Sequence, residues 1–102
     1  MLDKVSKVAW TRQARESLTK ILDYRYKNLQ SARSIVRKAI IDASKQIVFS
    51  KQYQKDDIFP EYRRIVVRDY KILYKEVKGV AYILNIVCTK ASSDKNNINT
   101  EE

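Results

Sequence analysis

A chain of 102 residues with 44% hydrophobic content suffices for one domain with one modest core and is too short for two. Its 21 Lys and Arg against 12 Asp and Glu leave a net charge of +9, which favours a polyanionic or acidic partner. There is no histidine, which removes the commonest general base and transition-metal ligand, and the lone Cys88 cannot close an intramolecular disulfide.

No apolar run approaches the roughly 20 residues that a membrane-spanning helix needs. Met1-Leu2-Asp3-Lys4 leads into mixed polar residues instead of the apolar centre of a signal peptide. The expectation is a globular protein in the cytoplasm with no membrane contact.

Val5 to Trp10 is a short apolar-leaning run that reads as a first strand, with Trp10 as a core anchor, and Thr11 after it is a good helix N-cap. Ala14, Leu18, Ile21, Leu22 and Tyr26 then recur at the three- and four-residue steps of one helical face. Ser31 is a second cap candidate and opens a second stripe, Ala32, Ile35, Val36, Ala39, Ile40, Ala43 and Ile47. Two helices of roughly 16 to 18 residues, each about 25 Å long, joined by a short polar link predict an antiparallel helical hairpin. The periodicity fades over Phe49 to Phe59, and Pro60 forbids further helix, so this stretch reads as a loop.

From Tyr62 the chain turns to β-branched and aromatic residues threaded with charge, and punctuation at Arg68-Asp69 and Lys78-Gly79 divides Tyr62 to Thr89 into a three-stranded antiparallel meander. Six basic residues, Arg63, Arg64, Arg68, Lys71, Lys75 and Lys78, stand against Asp69 and Glu76 on its first two strands. Much of the positive excess is therefore concentrated there.

Two-residue turns at both sites fix a register in which directly paired residues share a face. One face then collects Arg63, Ile65, Val67, Tyr70, Ile72, Tyr74, Ala81, Ile83, Asn85 and Val87. The other collects Tyr62, Arg64, Val66, Lys71, Leu73, Lys75, Tyr82, Leu84, Ile86 and Cys88. Both are substantially apolar, and one helical hairpin covers only one, so the second face is expected to meet a protein partner through Tyr62, Val66, Leu73, Tyr82, Leu84 and Ile86. After Lys90 the residues are nearly all small, polar or charged, so residues 1–91 read as a single domain and 92–102 as a disordered polar tail.

With one glycine and no histidine, a glycine-rich phosphate loop and the Ser/His/Asp and Cys/His nucleophile systems are closed to this chain. Asp56-Asp57 and Glu101-Glu102 are the only adjacent acidic pairs, and neither resembles a two-metal carboxylate site, so no metal and no cofactor is expected. What remains is phosphate binding, or cleavage of RNA through its own 2′-hydroxyl. In the second case Arg63, Arg64, Arg68 and Lys71 would surround the phosphate, and Lys, Tyr or a carboxylate would act as acid and base.

The order of elements, with Ala9-Trp10-Thr11, Gln13-Ala14-Arg15-Glu16-Ser17-Leu18, Tyr62-Arg63-Arg64-Ile65-Val66-Val67, Asp69-Tyr70-Lys71-Ile72-Leu73-Tyr74-Lys75 and Tyr82-Ile83-Leu84, resembles the RelE/ParE family of bacterial type II toxins over residues 5 to 91. The resemblance implies an α+β fold: an N-terminal strand, an antiparallel helical hairpin and a three-stranded antiparallel meander, with the helices on one face. It also implies a growth-inhibiting toxin neutralised by a cognate antitoxin, often in a higher-order hetero-oligomer that represses its own synthesis. One branch of the family cleaves mRNA on the ribosome, and the other is associated with inhibition of DNA gyrase.

Arg63 and Lys71 match basic strand positions of the family, and Lys90 matches a basic residue after the last strand. Ile65 stands where the RNase pattern has Lys, and no Tyr, His or Arg follows Lys90. The chain is thus more ParE-like than RelE-like. Arg63, Arg64, Arg68, Lys71, Lys75 and Lys90 are its expected target-binding residues, with ribosome-dependent mRNA cleavage as the alternative activity.

Overall fold

The computed structural model describes residues 4–89. Lys90 and the expected polar tail, 92–102, lie outside the described residues. The elements are β1 (Lys7–Trp10), α1 (Arg12–Tyr26), α2 (Gln30–Ser44), β2 (Arg63–Val67), β3 (Tyr70–Val77) and β4 (Val80–Cys88), and the four strands form one sheet in the order β1-β4-β3-β2. β2, β3 and β4 make the expected antiparallel meander, and β1 joins it parallel to β4.

Local chemistry accounts for most of the boundaries. Thr11 caps α1: its hydroxyl accepts from Ala14 N (3.2 Å) and donates to Ile83 O (2.7 Å), so one side chain starts the helix and ties it to β4. The second cap expectation is corrected. α2 begins at Gln30 after Leu29, whose side chain makes no capping bond, because Leu29 N already bonds Tyr26 O (2.9 Å) and Leu29 O accepts from Arg33 N (2.9 Å). The link between the helices is too tight to wait for Ser31. β1 is also shorter than the run Val5 to Trp10, since Val5 N turns away to bond Val48 O (2.8 Å).

Both turns fall where the sequence places them. Lys78 and Gly79 have φ of 51° and 85°, the positive values that a two-residue hairpin turn matched to strand twist requires. Arg68 also has positive φ, 54°, without a glycine's freedom.

The register of β4 is the main correction. Leu73 faces Asn85, whereas Tyr74 faces Ile83, so Leu84 is an extra residue opposite the Leu73/Tyr74 step. A one-residue bulge flips the parity of everything beyond it. Ile86 and Cys88 therefore share the face of Tyr70, Ile72 and Tyr74, and Asn85 and Val87 move to the opposite face beside Lys71 and Leu73.

The helices cover the first of these faces, α1 against β4 and α2 against β2. Ala14, Leu18, Leu22, Val36 and Ile40 close on Ile65, Tyr70, Ile72, Tyr74, Ala81, Ile83 and Ile86, all buried. Each fully buried large aliphatic side chain contributes about 1.5–3 kcal/mol of transfer free energy. Trp10 packs against this core and donates its indole N–H to Ser44 Oγ at 3.2 Å, the anchor role expected of it. No helix among the described residues is long and apolar enough to cross a membrane.

Candidate functional site

The uncovered face of β2, β3 and β4 carries the candidate site, and a loop carboxylate that the sequence gives little reason to single out organises its charge. The Asp56 side chain is fully buried. Its Oδ1 accepts from Lys71 Nζ at 2.8 Å, with Arg64 Nη1 3.8 Å away, and its Oδ2 accepts from the backbone N–H groups of Ile58 and Phe59, both at 3.0 Å. Burial alone would raise the Asp56 pKa. The bond from Lys71 and the Phe59 and Ile58 N–H groups outweigh it, so the pKa lies below the ordinary carboxylate value.

Arg64 is further committed to the same loop, donating to Lys55 O (3.0 Å) and Gln54 Oε1 (3.3 Å), with Asp57 at 3.6 Å. Two of the six expected target-binding cations are therefore neutralised within the chain.

The remaining cations do not converge with them. Arg63 lies on the other face of β2 and donates to Tyr53 O at 2.7 Å. Together with Lys51, Lys75, Glu61 and Glu76 it borders a cavity of about 170 Å³ whose charge is mixed. Arg68 is exposed at the β2–β3 turn, and Lys75 is exposed near the far end of β3. Lys90 lies outside the described residues. The four cations considered for RNA cleavage, Arg63, Arg64, Arg68 and Lys71, are thus split between two faces and a turn.

The phenols of β3 point into the core. Tyr70 shares a 3.1 Å hydrogen bond with Tyr26 and accepts from Arg25 Nη1 at 3.2 Å, and burial, reinforced by Tyr26, drives its pKa far above the ordinary phenol value. Arg25 also donates to Cys88 Sγ (3.3 Å) and lies 3.7 Å from Asp69, joining the end of α1 to the β2–β3 turn and the end of β4. Cys88 is half-buried against the core, as a small apolar filler would be. Tyr74 is likewise raised by burial, against the opposing effects of a Tyr53 bond and the Arg63 charge.

Of the residues expected to form the apolar partner surface, Val66 is 61% exposed and Tyr82 37%, while Tyr62 and Leu84 are half-buried. Leu73 belongs to the outer face but is itself buried, at 2%. Ile86 is 3% exposed on the helix-covered face, moved there by the bulge. In the loop, Ile58 and Phe59, whose N–H groups hang on Asp56, are exposed apolar residues outside the expected set.

A helical pair on one face of a β1-β4-β3-β2 sheet, with a charged and apolar outer face, defines a small α+β protein of the expected fold. Residues 8–91 match the family model described as "ParE toxin of type II toxin-antitoxin system, parDE". The chain belongs to this ParE toxin family. Among solved structures, one titled "Chromosomal ParDE TA system from P. aeruginosa" has a similar fold, with a TM-score of 0.68 at 18% identity over 83% of this chain and 96% of that one. The comparison with curated proteins gave no match.

Proposed function

We propose that this ParE-family chain inhibits growth from within the cytoplasm by binding a protein target, DNA gyrase, and that a cognate antitoxin neutralises it by seating on the outer sheet face around Tyr62, Val66, Tyr82 and Leu84. One observation carries the choice of binding over RNA cleavage: Asp56 occupies Lys71 and faces Arg64, so two of the four cations needed around a scissile phosphate are already paired. The buried phenols of Tyr70 and Tyr74 support the same reading, since burial raises their pKa and keeps them protonated, whereas an effective general base is poised near neutral pH. The exposed cations Arg68 and Lys75 are free to steer an acidic partner surface toward the apolar residues.

Induction of the full chain in bacteria is expected to stop growth, with loss of negative supercoiling in a reporter plasmid and no codon-linked mRNA ends. Co-expression of the adjacent reading frame is expected to restore growth. Codon-linked cuts without a supercoiling change would replace the gyrase reading by ribosome-dependent cleavage. Unimpaired growth at confirmed expression would reject both.

A further inference from the structure

Among the described residues, one margin of the sheet is left open. β1 ends the strand order, and β4 pairs with it on one side only. Ser6 N bonds toward β4, reaching Gly79 O at 2.7 Å, and Val5 N bonds the opposite way, to Val48 O at 2.8 Å. Backbone groups alternate sides along a strand, so those of Lys7 and Ala9 point away from β4, as Val5 does. No described strand lies there, because the segment around Val48 and Phe49 meets β1 only at Lys4 and Val5 and then departs toward α2.

Where it departs it leaves a groove of about 380 Å³ between the outer side of β1 and Lys45 to Val48. Its apolar lining is Val5, Val8, Ile47 and Val48, the last half exposed, and its charged lining is Lys7 and Lys45 with no carboxylate. Asp42, one turn earlier on α2, is already bonded to Lys38 at 2.7 Å.

We propose that the open edge of β1 takes up an extended, acidic segment of a partner protein as a fifth strand, with one apolar side chain in the groove and acidic neighbours against Lys7 and Lys45. Outward-facing main-chain groups of Lys7 and Ala9 give the pairing, and the groove selects the side chain that alternation presents to it. Charge decides between this occupant and a second copy of the chain. β1 pairing with itself would bring together the lysine-bearing edges of two molecules of net charge +9, and an edge lysine opposes such pairing. The surface is separate from the outer sheet face assigned above, so its test is independent of the growth assay.

The test is titration of the 15N-labelled full chain with the synthetic peptide Glu-Val-Glu-Leu-Glu-Val, and with its Lys-for-Glu counterpart. The acidic peptide is expected to shift the amides of Lys7 and Ala9 and slow their hydrogen exchange, and the basic one to leave them unmoved. Lys7→Glu with Lys45→Glu, both exposed positions, is expected to weaken binding about tenfold, the sum of several surface charge pairs. Ala9→Pro removes the outward N–H and is expected to abolish binding, while Ala9→Val preserves it. Should the proline variant fail to fold, the lysine pair decides. Equal binding of both peptides, shifts confined to other strands, or a concentration-dependent dimer through β1 would each overturn the proposal.

Discussion

The two margins of the sheet are built differently. Along β2 the chain doubles back: Arg64 N bonds Gln54 O (3.0 Å), Asp56 N bonds Tyr62 O (2.9 Å), Lys55 bridges Arg63, and the buried Asp56 carboxylate rivets this covering strip to Lys71. Along β1 the covering segment leaves after Val5, and what remains is apolar and basic. An exposed edge is a standing invitation to pair, and proteins close or charge the edges they do not use. The contrast teaches that ionic, desolvated contacts were committed to closing one margin, while the other was left with a groove beside it.

The difference between the two margins depends most on Asp56. Asp56→Ala leaves Lys71 and Arg64 without their buried counter-charge and two N–H groups without an acceptor, and is expected to cost about 3 kcal/mol, read as a lower urea midpoint. Hydrogen exchange should then quicken along β2 and leave β1 unchanged; equal loss along both strands would show that the rivet serves the whole sheet.

The same carboxylate sets an acid sensitivity. Its pKa is lowered on folding, so the unfolded chain binds more protons and stability rises with pH through this range. The contribution is complete above the ordinary carboxylate value of about 4 and is lost as pH falls from there through the folded value. Asp56→Asn is expected to flatten that part of the stability profile, and an unchanged acid limb would assign it to other carboxylates.

The next effect lies at the β3–β4 turn, on the open side. Gly79 holds φ 85°, its O accepts from Ser6 N (2.7 Å) and Ser6 Oγ (3.1 Å), and its N donates to Glu76 Oε2 at 2.6 Å. A Cβ here would meet Ser6 Oγ at 3.5 Å, an ordinary contact, so the cost of Gly79→Ala is torsional, about 1–2 kcal/mol. Because β1 is held partly through this carbonyl, its amides are expected to lose protection before those of β2.

How far the sequence reveals this molecule depends on the length and chemistry of each piece. The helical stripes, the Thr11 cap and both turns were readable because each is a local pattern with a local cause. The bulge at Leu84 was not, since the apolar run of β4 fits the core in either parity: Ile83 and Ile86 are both buried although three residues apart. The place of β1 was hidden too, four residues being too few to name a partner strand. At the candidate site, the exposure of Val66 and Tyr82 could be read from a correct register. The Asp56 to Lys71 pair spans 15 residues, and its nearest signal is an Asp two residues before an N–H that a carboxylate can cap, a pattern shared by many turns.

The smallest expected effect sharpens the contrast between the two hairpin turns. Lys78-Gly79 has a glycine at one of its two left-handed positions, with Lys78 at φ 51°, whereas the left-handed position of the other turn is held by Arg68 at φ 54° with no glycine beside it. Arg68→Gly relieves that strain and at the same time frees the unfolded chain, so the gain is expected to be less than the full torsional cost, about 0.5–1 kcal/mol in thermal unfolding. Loss of the exposed guanidinium is expected to slow association with an acidic partner at low salt without altering the fold. If stability instead falls, the Arg68 side chain contributes to holding the turn.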